Sequence, residues 1–502
     1  QQVNAMQKQS MEFHEKNGYY PRWTNSMFGG MPAYLIAFGP KSGSLISVES
    51  FTKFVTLGFP KPVYFLFLAG IFFYLLCIVI GINPWLSILG GIAYGYCSYN
   101  PLLIVSGHDT KMISLAYIPA IIASVLLIFK QKYWIGSPLL LIFMTLIMAQ
   151  NHLQMVYYLL IMLLFLGLHL LVKFIKEKDY KHLLIGATSS ILLIIVAVMI
   201  AAMGFLSAFE YTKESNRGGS ELTAADSKNQ TKGGLDKDYA FNWSYGKMET
   251  FSFIIPNACG GGSSTPLQED SKVSELLQQT PGISQDGAQQ LFQAASAYWG
   301  GKPNTAGPVY FGAFICVLFL MGMILSKSEH KWWLLGITVL GILLAWGKHF
   351  ETFNYFLFDH LPFYNKFRTP EMSLVMTQLA VPLMAVIFLN DLTGITDKEK
   401  LASIGKKCLI ITGSVAAAIA GFYFFASFKN EATDELKKSV TNAFQNNPDF
   451  AKSYISALIK DRQTVFLSDM WRSLGFILIG IAAVYLYTKN IFKAPVLYIA
   501  LI

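Results

Sequence analysis

The chain has 502 residues, 53% of them hydrophobic and only 14% charged, with a net charge of +9; its mean hydropathy is +0.44. A soluble domain carries about 25% charged residues, so the composition excludes a soluble globular enzyme. The positive balance belongs to lysines in short loops, as in the cytoplasmic connections of membrane proteins, and no nucleic-acid partner is expected.

In chain order, residues 1–16 have the pattern of an amphipathic helix, ended by Asn17-Gly18. The following stretch, "YPRWTNSMFGGMPAY", holds Arg22 and Trp23. Trp favours the headgroup level and Arg matches a phosphate in a bidentate way, so residues 1–61 are expected to lie on a membrane interface and touch an anionic lipid head.

About 20 apolar residues span a bilayer core. On that ruler a first transmembrane bundle covers 62–204, with spans at 62–80, 84–98, 112–129, 134–150, 153–172 and 183–204. The run from Pro138 to Val172 would be about 52 Å as one helix, too long for a bilayer core of about 30 Å, so a break is placed at Gln150-Asn151-His152. Residues 205–308 form a large loop, rich in Gly, Ser and Gln, that is expected to be largely irregular. A second bundle covers 309–502, with spans at 309–325, 333–346, 373–389, 408–427 and 467–486 and a twelfth starting near 494. Between these spans lie the outer segments 347–372 and the helical-looking 428–466. The chain opens at Gln1 in a polar segment and closes at Ile502 in an apolar run, so it is read as part of a longer protein.

Alternating the spans gathers 14 basic residues into five short loops on one face. That face is expected to be cytoplasmic, and the long loops extracytoplasmic. Four of the five cysteines fall in apolar runs and only Cys259 lies in a long loop, with no metal-ligand spacing, so no metal or cofactor is expected. There is no HExxH, GxSxG or P-loop, which leaves proteases and ATPases without support.

The polar residues cluster on the outer side. "SGHDTKM" places His108, Asp109 and Lys111 at the mouth of span 112–129. A carboxylate beside an imidazole can act as an acid/base pair, and a lysine can meet a phosphate; helix capping by Asp109 or Thr110 is the alternative. "MAQNHLQM" adds Asn151, His152 and Gln154, suited to a sugar or to interhelical hydrogen bonds. In "FYNKFRTPEM", Thr369 is expected to cap a helix whose first turn holds Pro370 and Glu371, with Lys366 and Arg368 just outside an N-terminus that attracts phosphate. Glu210, Tyr298 and Trp299 complete this face, the aromatics as sugar platforms or as an interfacial belt.

The succession "YPRWTNSMFGGMPAY", "SGHDTKMISLAYIPA", "AQNHLQMVYYLL" and "FYNKFRTPEM" resembles the bacterial YfhO-like membrane proteins over nearly the whole chain. Those proteins look like members of the GT-C glycosyltransferase superfamily. The resemblance implies an all-α polytopic integral membrane protein with a GT-C-like fold, about 11–12 transmembrane helices and large extracytoplasmic loops, in the bacterial cytoplasmic (inner) membrane. It implies a polyprenyl-phosphate-linked sugar as donor, transferred to an extracytoplasmic acceptor. Arg368 and Lys111 would hold the phosphate, Asp109 and His108 would be the catalytic centre, and Asn151, His152 and Gln154 would face the sugar. The superfamily's acidic base in the first outer loop would precede Gln1, which leaves Asp109 as the visible candidate. Two other classes stay open: a non-catalytic accessory subunit that contacts membrane-protein partners through its outer loops, and a lipid or solute transporter.

Overall fold

The structure, a computed structural model, describes residues 2–26, 29–33, 54–215, 217–218, 233–444 and 447–502. Apart from a short hairpin that pairs Trp23–Thr24 with Met31–Pro32, its regular elements are helical. Among the described residues, seven helices are long and apolar enough to cross a membrane alone: Val63–Ile80, Asp109–Phe129, Leu153–Glu177, Tyr180–Ile200, Pro370–Thr393, Lys398–Phe425 and Pro448–Thr488. Two bent pairs bring the number to nine, and Tyr133–Ala149 and Ala313–Leu325 are shorter apolar helices. Hydrocarbon offers the backbone no hydrogen-bond partner, so each apolar run satisfies its own peptide groups as helix. The chain is an all-α polytopic membrane protein.

Burial sorts the helices. The most apolar stretch of Pro370–Thr393 is 94% buried and that of Asp109–Phe129 83%, against 17% for Tyr180–Ile200. The first two form the centre, whereas Tyr180–Ile200 turns Leu184, Ile191, Leu192 and Met199 outward. Lipid tails are as apolar as leucine, so helices in a membrane associate through close packing rather than hydrophobic gain. Val63–Ile80 and Pro84–Gly95 show this: a Cβ on Gly91 would stand 2.7 Å from the Gly70 carbonyl oxygen.

The expected span 84–98 is broken, with Pro84–Gly95 and Tyr99–Val105 meeting at 42°. Asn100 repairs the break. Its Nδ2 donates to the carbonyls of Tyr94 and Gly95 at 2.9 Å, and its Oδ1 accepts from Gln378 of the central helix at 2.9 Å. A sharper turn of 108° follows Lys331–Ala345, where Asn354 Nδ2 donates to the Leu343 carbonyl at 2.9 Å. Amide side chains at these breaks replace the backbone partners that the bends remove.

The chain does break at Gln150–His152, between Tyr133–Ala149 and Leu153–Glu177, with Asn151 at φ +54°. Two expectations are corrected. Residues 467–486 are the inner part of one 41-residue helix, Pro448–Thr488, about 60 Å long at 1.5 Å per residue. Thr369 lies at φ +60° without a side-chain cap bond; its N–H donates to the Ala240 carbonyl at 3.1 Å, and Pro370–Ser373 is a 3-10 turn ahead of Leu374–Thr393. Among its described residues 205–308 is largely irregular, as expected, yet it packs closely and carries helices at Ala202–Thr212, Lys272–Gln279 and Gln285–Ala294; 219–232 lie outside the described residues. It orders because Ile255, Ala258, Cys259, Val273 and Leu277 are buried. Gly260, at φ +87°, passes so near the Ala297 carbonyl that a Cβ there would stand 1.8 Å from its oxygen.

Val273, Leu277, Val440, Tyr454 and Leu458 form a second hydrophobic cluster, separate from the main core. The long helix pins this lobe. Asp461 accepts from the N–H groups of Lys272 and Val273 at 2.7 and 3.0 Å, capping Lys272–Gln279, and Arg462 donates to the Ser296 and Phe428 carbonyls.

Candidate functional site

The chain alternation brings the N-terminal ends of Asp109–Phe129, Leu153–Glu177 and Pro370–Thr393 to the loop-rich end of the bundle. His108 and Arg368 lie exposed there, with Lys111 buried below them at 6% exposure. Gln154 ties two of the elements together: its Nε2 donates to the Arg368 carbonyl at 2.8 Å and approaches the Tyr158 hydroxyl at 3.1 Å. Arg368 also donates to the Tyr239 hydroxyl and lies over that ring at 5.6 Å.

Arg217, which sequence reasoning passed over, belongs to the same cluster. Its guanidinium donates to the Lys366 carbonyl, while Lys366 Nζ donates to the carbonyls of Arg217 and Gly233 at 2.7 and 2.9 Å. Burial, then the charge of Arg368, lowers the pKa of Arg217. A signal existed in the sequence. Only five arginines occur among 39 basic residues, and none lies in the five lysine-rich short loops. An arginine in such a chain is placed for bidentate contact.

Arg217 and Arg368 thus act on one another, Lys111 shares His108 with Arg368 and His152 with Arg217, and no carboxylate stands within ion-pair distance of these cations or of Lys366 among the described residues. Lys111 lies 5.1 Å from the Tyr99 ring centroid and makes no hydrogen bond to a described residue. The Tyr99 hydroxyl is likewise buried without a partner. Buried polar groups are nearly always hydrogen-bonded, so these two neighbouring groups leave hydrogen-bonding capacity open at this point.

Both imidazoles are held below their ordinary value. Burial, then Lys111 and Arg368, holds His108 below the ordinary imidazole value. Burial, with Lys111 next, pushes His152 down to about 4. The Met155 N–H donates to His152 Nδ1 at 3.4 Å, so the neutral ring carries its proton on Nε2.

Behind the cluster runs a buried charge chain. Lys302 Nζ donates to Glu371 at 2.8 Å and stands 3.8 Å from Glu249. Glu249 accepts from the Tyr298 hydroxyl at 2.9 Å and from the N–H groups of Gly246 and Gly301 at 2.7 and 3.0 Å. Burial opposes the Lys302 ammonium, but Glu371 and Glu249 outweigh it and raise its pKa.

The remaining sequence candidates are exposed or paired elsewhere. Asp109 is the first residue of its helix and is paired with Lys61 at 2.6 Å, its side chain 43% exposed; it forms no hydrogen bond with His108. Asn151 is exposed in the turn beside His152. Glu210 is exposed near the end of Ala202–Thr212, and Arg22 and Trp23 are exposed on the hairpin. Tyr298 and Trp299 are buried on the far side of the Lys302–Glu249 pair. The gap beneath Arg368, walled by Gln154, Tyr158, Tyr364 and Pro370, encloses about 10 Å³. That is about one water, so a ligand would lie across the mouth rather than inside a tunnel. No group of three or more His, Cys, Asp or Glu is placed to hold a metal among the described residues. No family model, curated protein or solved structure matches the chain.

Proposed function

We propose that the chain is a membrane glycosyltransferase that moves a sugar from a polyprenyl-phosphate-linked donor to an acceptor on the extracytoplasmic side of a bacterial cytoplasmic membrane. The observation that carries the reading is the buried Lys111 ammonium, which pairs with no described carboxylate and shares the two imidazoles with Arg368 and Arg217, beside an orphaned Tyr99 hydroxyl. An anionic head would satisfy all four groups, and the N-terminus of Asp109–Phe129 adds its own positive end. A lipid-borne phosphate suits the position, because the site stands at the end of an apolar bundle whose lateral faces suit a hydrocarbon tail.

In this reading Arg368, Arg217 and Lys111 bind the phosphate, and the His152 Nε2–H and Asn151 face the sugar. An acceptor hydroxyl oxygen attacks the anomeric carbon and the bond from that carbon to the phosphate oxygen breaks. The phosphate leaves with the electron pair, stabilised by the cations, and Asp109 takes the hydroxyl proton. Asp109 is reachable from solvent, as the acceptor side of such a site requires.

The test is glycan transfer in cells carrying Arg368→Ala or Asp109→Asn. Transfer is lost in both while the protein inserts normally; unchanged transfer in both overturns the reading. The ordered lobe formed with Pro448–Thr488 favours a second reading, an accessory subunit that docks partners there. Co-purification of stoichiometric subunits without any sugar transfer would support that alternative.

A further inference from the structure

A second cavity, of about 320 Å³, opens on the far side of the Lys302–Glu249 pair, with walls that include Lys247, Glu249, Trp299, Gly300, Lys429 and Asn430. It falls at the small end of the range for small-molecule sites, about 300–1,000 Å³. The site beneath Arg368 has a separate set of walls, and no residue lines both.

What the second cavity can bind follows from which of its polar groups are already used. Both Glu249 oxygens are occupied, Oε1 by Tyr298 and Oε2 by the Gly246 and Gly301 N–H groups. The Asn430 side chain is equally committed: its Oδ1 caps Glu431–Ala443 and its Nδ2 donates to the Gly300 carbonyl at 3.0 Å. The carboxylate and amide acceptors on these walls are therefore taken, while the His349 ring nitrogen Nε2 is buried there without a partner. The lysine donors are free of described partners. Lys247 Nζ lies only over the Phe350 ring, at 5.8 Å, and neither it nor Lys429 Nζ forms an ion pair or hydrogen bond with a described residue. Both lysines are exposed at the rim, while Trp299 is buried in the wall with its ring against Phe422 and Phe428. A wall whose one carboxylate is spent and whose two ammoniums are free favours a ligand that accepts hydrogen bonds and carries negative charge, with an uncharged body against Trp299 and Met248.

We infer that this cavity is a separate binding site for a small organic anion, a carboxylate or phosphate ester whose charge meets Lys247 and Lys429. The site needs no part of the lipid-phosphate cluster, so it stands or falls independently of the proposed transferase activity.

The experiment is calorimetric titration of the full chain in detergent with glucuronate, glucose 1-phosphate and uncharged glucose. At least one of the two anions binds, glucose does not, and added salt weakens the binding. Binding of one anion alone identifies whether the charge is carboxylate or phosphate. The affinity falls about tenfold or more in the Lys247→Ala/Lys429→Ala double variant, whose changes are at exposed positions that leave the fold intact, and persists in Arg368→Ala. Equal binding of glucose, no loss in the double variant, loss in Arg368→Ala, or no binding of either anion overturns the inference.

Discussion

The Gln154 carboxamide holds the backbone of Arg368, Nε2 to carbonyl at 2.8 Å, across 214 positions of sequence. Replacing it with Leu leaves that carbonyl without its partner, which costs about 1–3 kcal/mol where the group is buried. Gln154→Leu is expected to lower the melting temperature in detergent and to weaken binding of a short-chain prenyl phosphate. A variant with wild-type values for both removes Gln154 as a positioning residue.

Arg368 and Arg217 are the charge-assisted donors of the proposed phosphate site. Hydrogen bonds to charged groups contribute about 1.5–3 kcal/mol, so each Ala variant should lower prenyl-phosphate affinity by roughly tenfold to a hundredfold. Arg368→Lys should recover only part of this, because lysine lacks the planar fork. Calorimetry or native mass spectrometry reads the difference.

The Lys302–Glu371 pair is a structural strut. Lys302 is the cation for two buried carboxylates, so Lys302→Met leaves both Glu371 and Glu249 without it and costs about 3–5 kcal/mol, whereas Glu371→Leu leaves Lys302 beside Glu249 at 3.8 Å. Lys302→Met should therefore destabilise most, Glu371→Leu less, and Lys302→Met/Glu371→Leu should fall between them. Thermal unfolding of the three proteins checks it.

The depressed His152 sets a pH dependence. Its native value of about 4 lies below the ordinary 6.5, so between those values the unfolded chain binds more protons than the native one. Stability from this group is present above pH 6.5 and is lost as pH falls towards 4, by on the order of 2–3 kcal/mol. His152→Gln should melt with a flatter dependence over that window; identical slopes would contradict the assignment.

Gly91 tests the packing of the first two spans. A side chain there meets the Gly70 carbonyl at 2.7 Å. Gly91→Val should cost about 1–3 kcal/mol by overpacking, measured as a drop in melting temperature with binding retained.

The apolar runs were legible because hydrocarbon thickness sets their length, and the break at Gln150–His152 followed from the same ruler. Clustering of His108, Lys111, His152 and Arg368 was legible in outline, since each stands at a helix end on one side. What local pattern does not carry is which polar side chain meets which. Asp109 looked like the partner of His108 but is paired with Lys61, because Val63–Ile80 packs beside Asp109–Phe129. Nothing in local pattern singles out Glu249, and only tertiary folding brings it to Tyr298 and Lys302. The close packing within 205–308 was hidden for a related reason. Its glycines look like flexible linkage, yet Gly260 is where two backbone segments nearly touch.

The single unbroken helix from Pro448 to Thr488 has a mechanical meaning. It is one stiff rod shared by the lobe and the membrane bundle, and Phe466 near its middle is stacked on Phe422, beside the wall of the second cavity. Tilting the lobe, by a partner or by a neighbouring lipid head, moves that rod as a lever. A load applied far from the bilayer is thereby delivered to the aromatic floor under Trp299.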